Sequence, residues 1–136
     1  MDRLLADTGF LIAAGQRGDP LHEAAKRLLG GYSGTLVTAA PVIVETCFFF
    51  ESKGKLRLLE WVQSGGLGVA EVPVSAYADL ARTIEKYADQ DIDFTDAALV
   101  WLAEESGLRR ILTVDRSDFS LFRLKGGKRF DVLDWF

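Results

Sequence analysis

One histidine and one cysteine serve the whole of this 136-residue chain, and three prolines punctuate it. Such scarcity excludes several kinds of chemistry. Cys47 alone can form neither an internal disulfide nor a cysteine zinc cluster, and its expected place is the core. His22 alone rules out a histidine pair acting as base and acid, the common way of cleaving RNA through its own 2′-hydroxyl. It falls early in a polar helix and reads as a surface residue. No window approaches the roughly 18 uninterrupted apolar residues of a membrane span. The first residues, Met1-Asp2-Arg3-Leu4-Leu5, include an acid at position 2. They lack a long apolar stretch and a small-residue cleavage site, so no signal peptide is expected and the chain reads as cytoplasmic. Gly-rich nucleotide-binding loops are also missing.

Positive charge is in short supply. The net charge of −4 argues against tight, sequence-independent binding to a duplex. The shortage is uneven, because from Gly107 onward seven Lys/Arg face four Asp. Arg109, Arg110, Arg116, Arg123, Lys125, Lys128 and Arg129 either hold phosphates near a site or form a solvated face.

What is present is enough apolar sequence for one domain spanning residues 1–136. Short strands are expected at Arg3–Asp7, Thr35–Thr38, Leu67–Val72, Arg110–Val114 and Phe130–Leu133. Between them, helices are expected from Thr8 to Gln16 and from Pro20 to about Leu29, the latter capped by Asp19. A further helix begins at Ala40 or Pro41 and runs through Phe50. Lys53-Gly54-Lys55 interrupts, and helix resumes over Leu56–Gln63. Ser75 caps a helix to about Tyr87, and Thr95 caps another over Asp96–Glu105, closed by Gly107. Strands alternating with helices imply right-handed crossovers and an α/β fold with a parallel sheet covered on both faces. The aromatic run Phe48–Phe50, with Trp61 and Trp101, is most economically core, with a dimer surface as the second choice.

Four acids stand where this fold places ligands. Asp7 and Asp115 end strands, and parallel sheets bind ligands beyond the carboxyl ends of their strands. Each has a simpler explanation, Asp7 as a helix N-cap and Asp115 as a turn residue. Glu45 has Pro41, Val42, Phe48 and Phe49 as helical neighbours, so its carboxylate shares an apolar face. Burying it unpaired is costly unless a cation or proton satisfies it. Hydrogen bonding at a helix end is the plainer alternative. Asp96 leads the apolar stripe Leu99, Val100 and Ala103, with Ala97 and Ala98 leaving room beside it. A first-turn Asp is also simply favoured by the helix dipole. Carboxylates crowded at one edge repel, and a divalent ion with a taste for hard oxygen, Mg²⁺ or Mn²⁺, would relieve them. Asp89, Asp91 and Asp93 read as a solvated loop, with Asp93 the nearest candidate to assist.

The segments Leu4-Leu-Ala-Asp-Thr-Gly-Phe-Leu-Ile12, Val42-Ile-Val-Glu45, Asp93-Phe-Thr-Asp-Ala-Ala-Leu-Val100 and Ile111-Leu-Thr-Val-Asp-Arg-Ser-Asp-Phe119 resemble the PIN-domain nucleases. More narrowly they resemble the VapC-type toxins of bacterial toxin–antitoxin pairs. The resemblance spans nearly the whole chain, with all four acidic blocks in order. It implies a three-layer α/β/α sandwich around a short, mainly parallel sheet. It also implies an endoribonuclease dependent on Mg²⁺ or Mn²⁺, with Asp7 and Asp96 as principal metal ligands. Glu45 and Asp115 would bind metal directly or through water, and Thr8 and Thr113 match hydroxyl positions beside the site. A homodimer and an inhibiting antitoxin are implied as partners, with RNA as substrate and no membrane.

Two other functions stay open on sequence. A PIN-family nuclease that processes RNA or DNA outside a toxin system would carry the same acids. A metal-binding receiver-type signalling module also places acids at strand ends, but it needs an acidic pair after the first strand. Asp7 is instead followed by Thr8-Gly9, which also fails the Asp-x-Asp of a phosphatase.

Overall fold

The structure is a computed structural model and describes residues 2–136. Five strands form one sheet: β1 (Arg3–Ala6), β2 (Thr35–Ala39), β3 (Leu67–Ala70), β4 (Arg110–Leu112) and β5 (Asp131–Val132). Their spatial order is β3-β2-β1-β4-β5, with every neighbouring pair parallel. Seven helices flank the sheet: α1 (Thr8–Gly15), α2 (His22–Gly31), α3 (Ala40–Phe48), α4 (Ser52–Gln63), α5 (Tyr77–Lys86), α6 (Phe94–Ser106) and α7 (Arg116–Leu121). This is the expected α/β arrangement.

The strand order fixes where a site can form. From β1 the chain steps outward to β2 and β3, then returns past β1 to β4 and β5. With right-handed crossovers, that reversal sends the two groups of helices to opposite faces. It also opens a crevice at the carboxyl ends of β1 and β4, the topological switch point of an open α/β sheet. Leu4, Leu5, Leu36, Ile111 and Leu112 are buried in the strands, and Phe10, Leu11, Leu80 and Leu99 close over them. Continuous apolar strands are what a sheet buried on both faces requires.

Local structure departs from expectation in five places. Gly54 lies inside α4, and the real break is Phe49-Phe50-Glu51. A Cβ at Gly54 would sit 3.0 Å from the Phe50 side chain, so this glycine serves packing rather than chain reversal. The second helix starts at His22 rather than Pro20, and Asp19 closes the preceding turn by accepting from the Leu21 N–H. A 3₁₀ turn at Val74–Ala76 leads into α5 without a serine cap. Asp93, not Thr95, caps α6. Finally, α7 was not expected at all, being only six residues long.

The aromatic run is also split. Phe50 is buried, but Phe48 is 81 % exposed and Phe49 57 % exposed. Both lie at the end of α3, where the chain turns outward toward α4 and leaves them with no layer above. Cys47 is half-buried against the core rather than within it. Trp61 and Trp101 pack on the core as expected.

Candidate active site

Asp7 is the fixed point of the carboxyl edge. Its backbone N–H donates to the Leu112 carbonyl at 3.0 Å, joining the end of β1 to the end of β4. It then caps α1, with Oδ1 accepting from the Thr8 N–H at 2.7 Å. Oδ2 accepts from the Thr113 hydroxyl at 2.8 Å, and Thr113 is wholly buried. The N-cap explanation of Asp7 is therefore correct, and it does not compete with a chemical role. Burial raises the Asp7 pKa from 3.8 to about 6. The bonds from Thr113 and Thr8 oppose that rise, while the charges of Glu45 and Asp115 add to it.

Asp96 stands in the first turn of α6, where it forms a reciprocal capping box with Asp93. Its N–H donates to Asp93 Oδ1 at 2.8 Å, and its own carboxylate receives the Asp93 N–H at 3.4 Å. Burial again leads the pKa upward, to about 8, followed by the charges of Asp93, Asp7 and Asp115. Leu99, Val100 and Ala103 below it are buried as the stripe implied, and so are Ala97 and Ala98.

Asp115 caps α7, accepting weakly from the Asp118 N–H at 3.4 Å. Its backbone N–H donates to the Thr113 hydroxyl at 3.0 Å, the same hydroxyl that binds Asp7. Sequence reasoning passed over Asp118. A side-chain hydrogen bond with Asp115 holds its carboxyl above the ordinary range. The Asp-x-x-Asp spacing of an N-cap and third helical position was the available signal.

Glu45 is half-buried on α3, and its Oε2 accepts from the Thr95 hydroxyl at 3.2 Å. Thr95, expected as a cap, instead ties α3 to α6 immediately beside Asp96. The expected apolar surroundings need correction, because Phe48 and Phe49 are exposed. Glu45 and Thr95 help line an open groove of about 470 Å³ together with Val44, Phe48, Tyr77 and Phe94.

The four acids thus meet at one edge, close enough to raise the pKa of Asp7 and Asp96. Among the described residues, no three His, Cys, Asp or Glu side chains stand in an ion-holding arrangement in this conformation. Glu45, Asp96 and Asp115 are all partly exposed and each accepts one hydrogen bond, whereas Asp7 is buried with both carboxylate oxygens bonded. The donor set suits a hard divalent cation, which would offset the mutual repulsion that burial intensifies. The Thr8 hydroxyl is buried with no hydrogen-bond partner, a further oxygen without an assignment at the same edge.

Most of the basic segment does not serve this edge. Arg110 opens β4 and pairs with Asp2 at 3.3 Å, at the amino end of the parallel sheet. Arg109, Lys128 and Arg129 likewise precede the amino ends of β4 and β5. The Arg123 guanidinium is bonded to carbonyls at the end of α7. Arg116 alone of the seven neighbours a site acid in sequence, and Asp134 engages it at 2.9 Å. His22 bonds through Nδ1 to the Ala13 carbonyl at 2.7 Å and has no part in the acidic edge.

The family model of the PIN domain matches residues 4–123 of this chain. A curated relative, ribonuclease VapC26 of Mycobacterium tuberculosis, is 31 % identical over 134 residues, covering 96 % of this chain and 99 % of the relative. Among solved structures, the sarcin–ricin loop cleaving toxin VapC20 of M. tuberculosis superposes with a TM-score of 0.76 at 21 % identity. The match covers 85 % of this chain and 93 % of VapC20. A toxin–antitoxin complex from Klebsiella pneumoniae gives a TM-score of 0.57 at 17 % identity, over 88 % of this chain and 92 % of the other.

Proposed function

The chain belongs to the PIN-domain family, and from that premise we propose that it is a divalent-metal-dependent endoribonuclease, the toxin of a toxin–antitoxin pair. The observation that carries the chemistry is the shared field of Asp7, Glu45, Asp96 and Asp115 at the switch point of the sheet, where burial and mutual charge hold Asp7 near 6 and Asp96 near 8. Asp7 and Asp96 are the principal metal ligands, with Glu45 and Asp115 completing the set. Mg²⁺ or Mn²⁺, when bound, supplies the positive charge that stabilises a phosphodiester under attack by water.

The protein's own groups set the stage for that hydrolysis. The Thr8 N–H and the Thr113 hydroxyl hold both Asp7 oxygens, so this ligand needs no reorganisation. The Thr95 hydroxyl steadies Glu45. Loss of the Asp96 proton readies its carboxylate for the ion. The lone histidine is committed to Ala13, which leaves the carboxylates as the acid–base groups of this edge.

The relative's ribonuclease activity supports RNA as the substrate and, with it, action in the cytoplasm. Among the described residues, no helix is long and apolar enough to cross a membrane. A structural neighbour solved as a toxin–antitoxin complex supports an antitoxin partner. A homodimer would cover the apolar surface of Val44, Phe48, Val74, Tyr77 and Phe94, all large side chains left exposed. Tyr77 and Phe94 already stack edge to face, with ring centroids 5.6 Å apart.

The test is cleavage of single-stranded and structured RNA by the purified chain with Mg²⁺, Mn²⁺ or EDTA, beside Asp7→Asn and Asp96→Asn. Cleavage only with metal, lost in both variants, is expected. Cleavage that persists in EDTA or in either variant would refute the assignment.

A further inference from the structure

Trp135 lies 22 residues beyond Thr113 and takes part in none of the acidic motifs. It is nevertheless 8 % exposed, packed at the carboxyl edge beside the site. The pairing of β4 with β5 explains why it is there. In that parallel ladder the Asp131 N–H donates to the Arg109 carbonyl at 2.8 Å, and the Leu133 N–H donates to the Ile111 carbonyl at 3.0 Å. The next acceptor in the series is the Thr113 carbonyl, and the next residue of the series is Trp135. There the main chain has left the ladder, and the indole Nε1–H donates to the Thr113 carbonyl instead, at 3.0 Å and buried. The side chain continues the ladder one step after the strand has ended.

That step falls on the residue that holds the site together. Thr113 gives its hydroxyl to Asp7 and receives the Asp115 N–H on the same oxygen. The indole ring also meets Phe10 edge to face, with centroids 4.9 Å apart, and Phe10 is a buried residue of the helix that Asp7 caps. Next to it, the Phe136 ring lies 3.9 Å from the Arg116 guanidinium, which follows Asp115 directly. Residues 134–136 therefore touch both chain segments that leave β1 and β4 with a site acid.

We propose that Trp135 is a positioning residue of the metal site, fixing Thr113 through its carbonyl so that the Thr113 hydroxyl holds the Asp7 carboxylate toward the ion. Its role presupposes the metal site assigned above, and the experiment separates the two. Mn²⁺ is titrated into the wild-type chain and into Asp7→Asn, Trp135→Phe, Trp135→Met, Thr113→Val and the Trp135→Phe/Thr113→Val double variant. Free Mn²⁺ is read by electron paramagnetic resonance, and folding is checked by thermal melting. Trp135→Phe keeps an aromatic ring against Phe10 and removes the N–H. Two Trp135 variants are made so that one folded protein suffices.

Loss of a direct partner of a metal ligand typically costs about 10–100-fold in affinity, the range expected for Thr113→Val. Trp135 acts one bond further away, so a loss of roughly 3- to 10-fold is expected, with nucleolytic activity at saturating Mn²⁺ largely retained. The double variant should bind no more weakly than Thr113→Val alone, because Trp135 acts through Thr113. A folded Trp135 variant with wild-type Mn²⁺ affinity, while Asp7→Asn binds none, would overturn the positioning role and leave the metal site standing. Additive losses in the double variant would also overturn it. Wild-type protein that binds no Mn²⁺, or Asp7→Asn that binds it normally, would overturn both.

Discussion

Replacing Asp7 by asparagine separates two properties that often fail together, activity and stability. A buried carboxyl with its pKa raised from 3.8 to about 6 favours its protonated form in the folded state. An unfolded chain gives up that proton near pH 4. Between these values the folded protein binds more protons, so the contribution of Asp7 to stability is greatest below about pH 4 and is lost as pH rises through 6. The raised value corresponds to roughly 3 kcal/mol at neutral pH when no ion is bound. Asp96 extends the same trend toward pH 8. Metal-free protein should thus melt lower at pH 8 than at pH 5, as far as these two groups decide. Asp7→Asn should narrow that gap and raise the melting temperature at pH 8 while abolishing cleavage. Melting curves in EDTA at the two pH values check this, and a lower melting temperature for Asp7→Asn at pH 8 would count against it. At this scale much of the site was legible. An apolar strand ending on an acid marks Asp7 and Asp115, and an acid leading an apolar stripe marks Asp96. Asp118 had a signal in its Asp-x-x-Asp spacing with Asp115, whereas Trp135 was not legible, because its significance lies in meeting the Thr113 carbonyl.

Among the elements, α6 shows why ordinary stability signals and site signals overlap. Asp93 is the cap, and Asp96 is both its capping-box partner and a site acid. Asp93→Ala removes a side-chain acceptor at the helix start, a loss of about 1 kcal/mol. For a chain of this size that is a drop of roughly 3 °C in melting temperature. The same change removes the charge second only to burial in raising the Asp96 pKa, so that pKa should fall. Metal-dependent cleavage should persist, with its acidic limb moved to lower pH, as a pH–rate profile would record. Loss of cleavage would instead make Asp93 part of the catalytic set. Placing the cap at Thr95 was a natural error, since Asp93 and Thr95 both have capping side chains two residues apart. Packing decided it: the helix begins at Phe94, leaving Thr95 buried and bonded to Glu45. The last helix escaped notice because six residues carry too little periodicity to register.

For the whole molecule, topology counted for more than composition. The chain is acidic overall, and seven of its sixteen Lys/Arg fall from Gly107 onward. Strand direction then carries most of them to the edge opposite the acids, so sequence proximity to Asp115 was a poor guide to spatial proximity. The parallel fold itself was readable from alternating elements, whereas the fate of Phe48 depended on where neighbouring layers end. If a second copy covers that face, Phe48→Glu should yield a monomer by sedimentation. Because Phe48 is 81 % exposed, folding should change little. An unaltered dimer would place the subunit contact elsewhere.

The central claim is that the four acids share a divalent ion, and anomalous diffraction from crystals soaked in Mn²⁺ tests it most directly. A peak bonded to the Asp7 and Asp96 carboxylates, with Glu45 and Asp115 turned toward it, is the expected result. Fully occupied Mn²⁺ elsewhere on the protein, with no ion at the switch point, would contradict it.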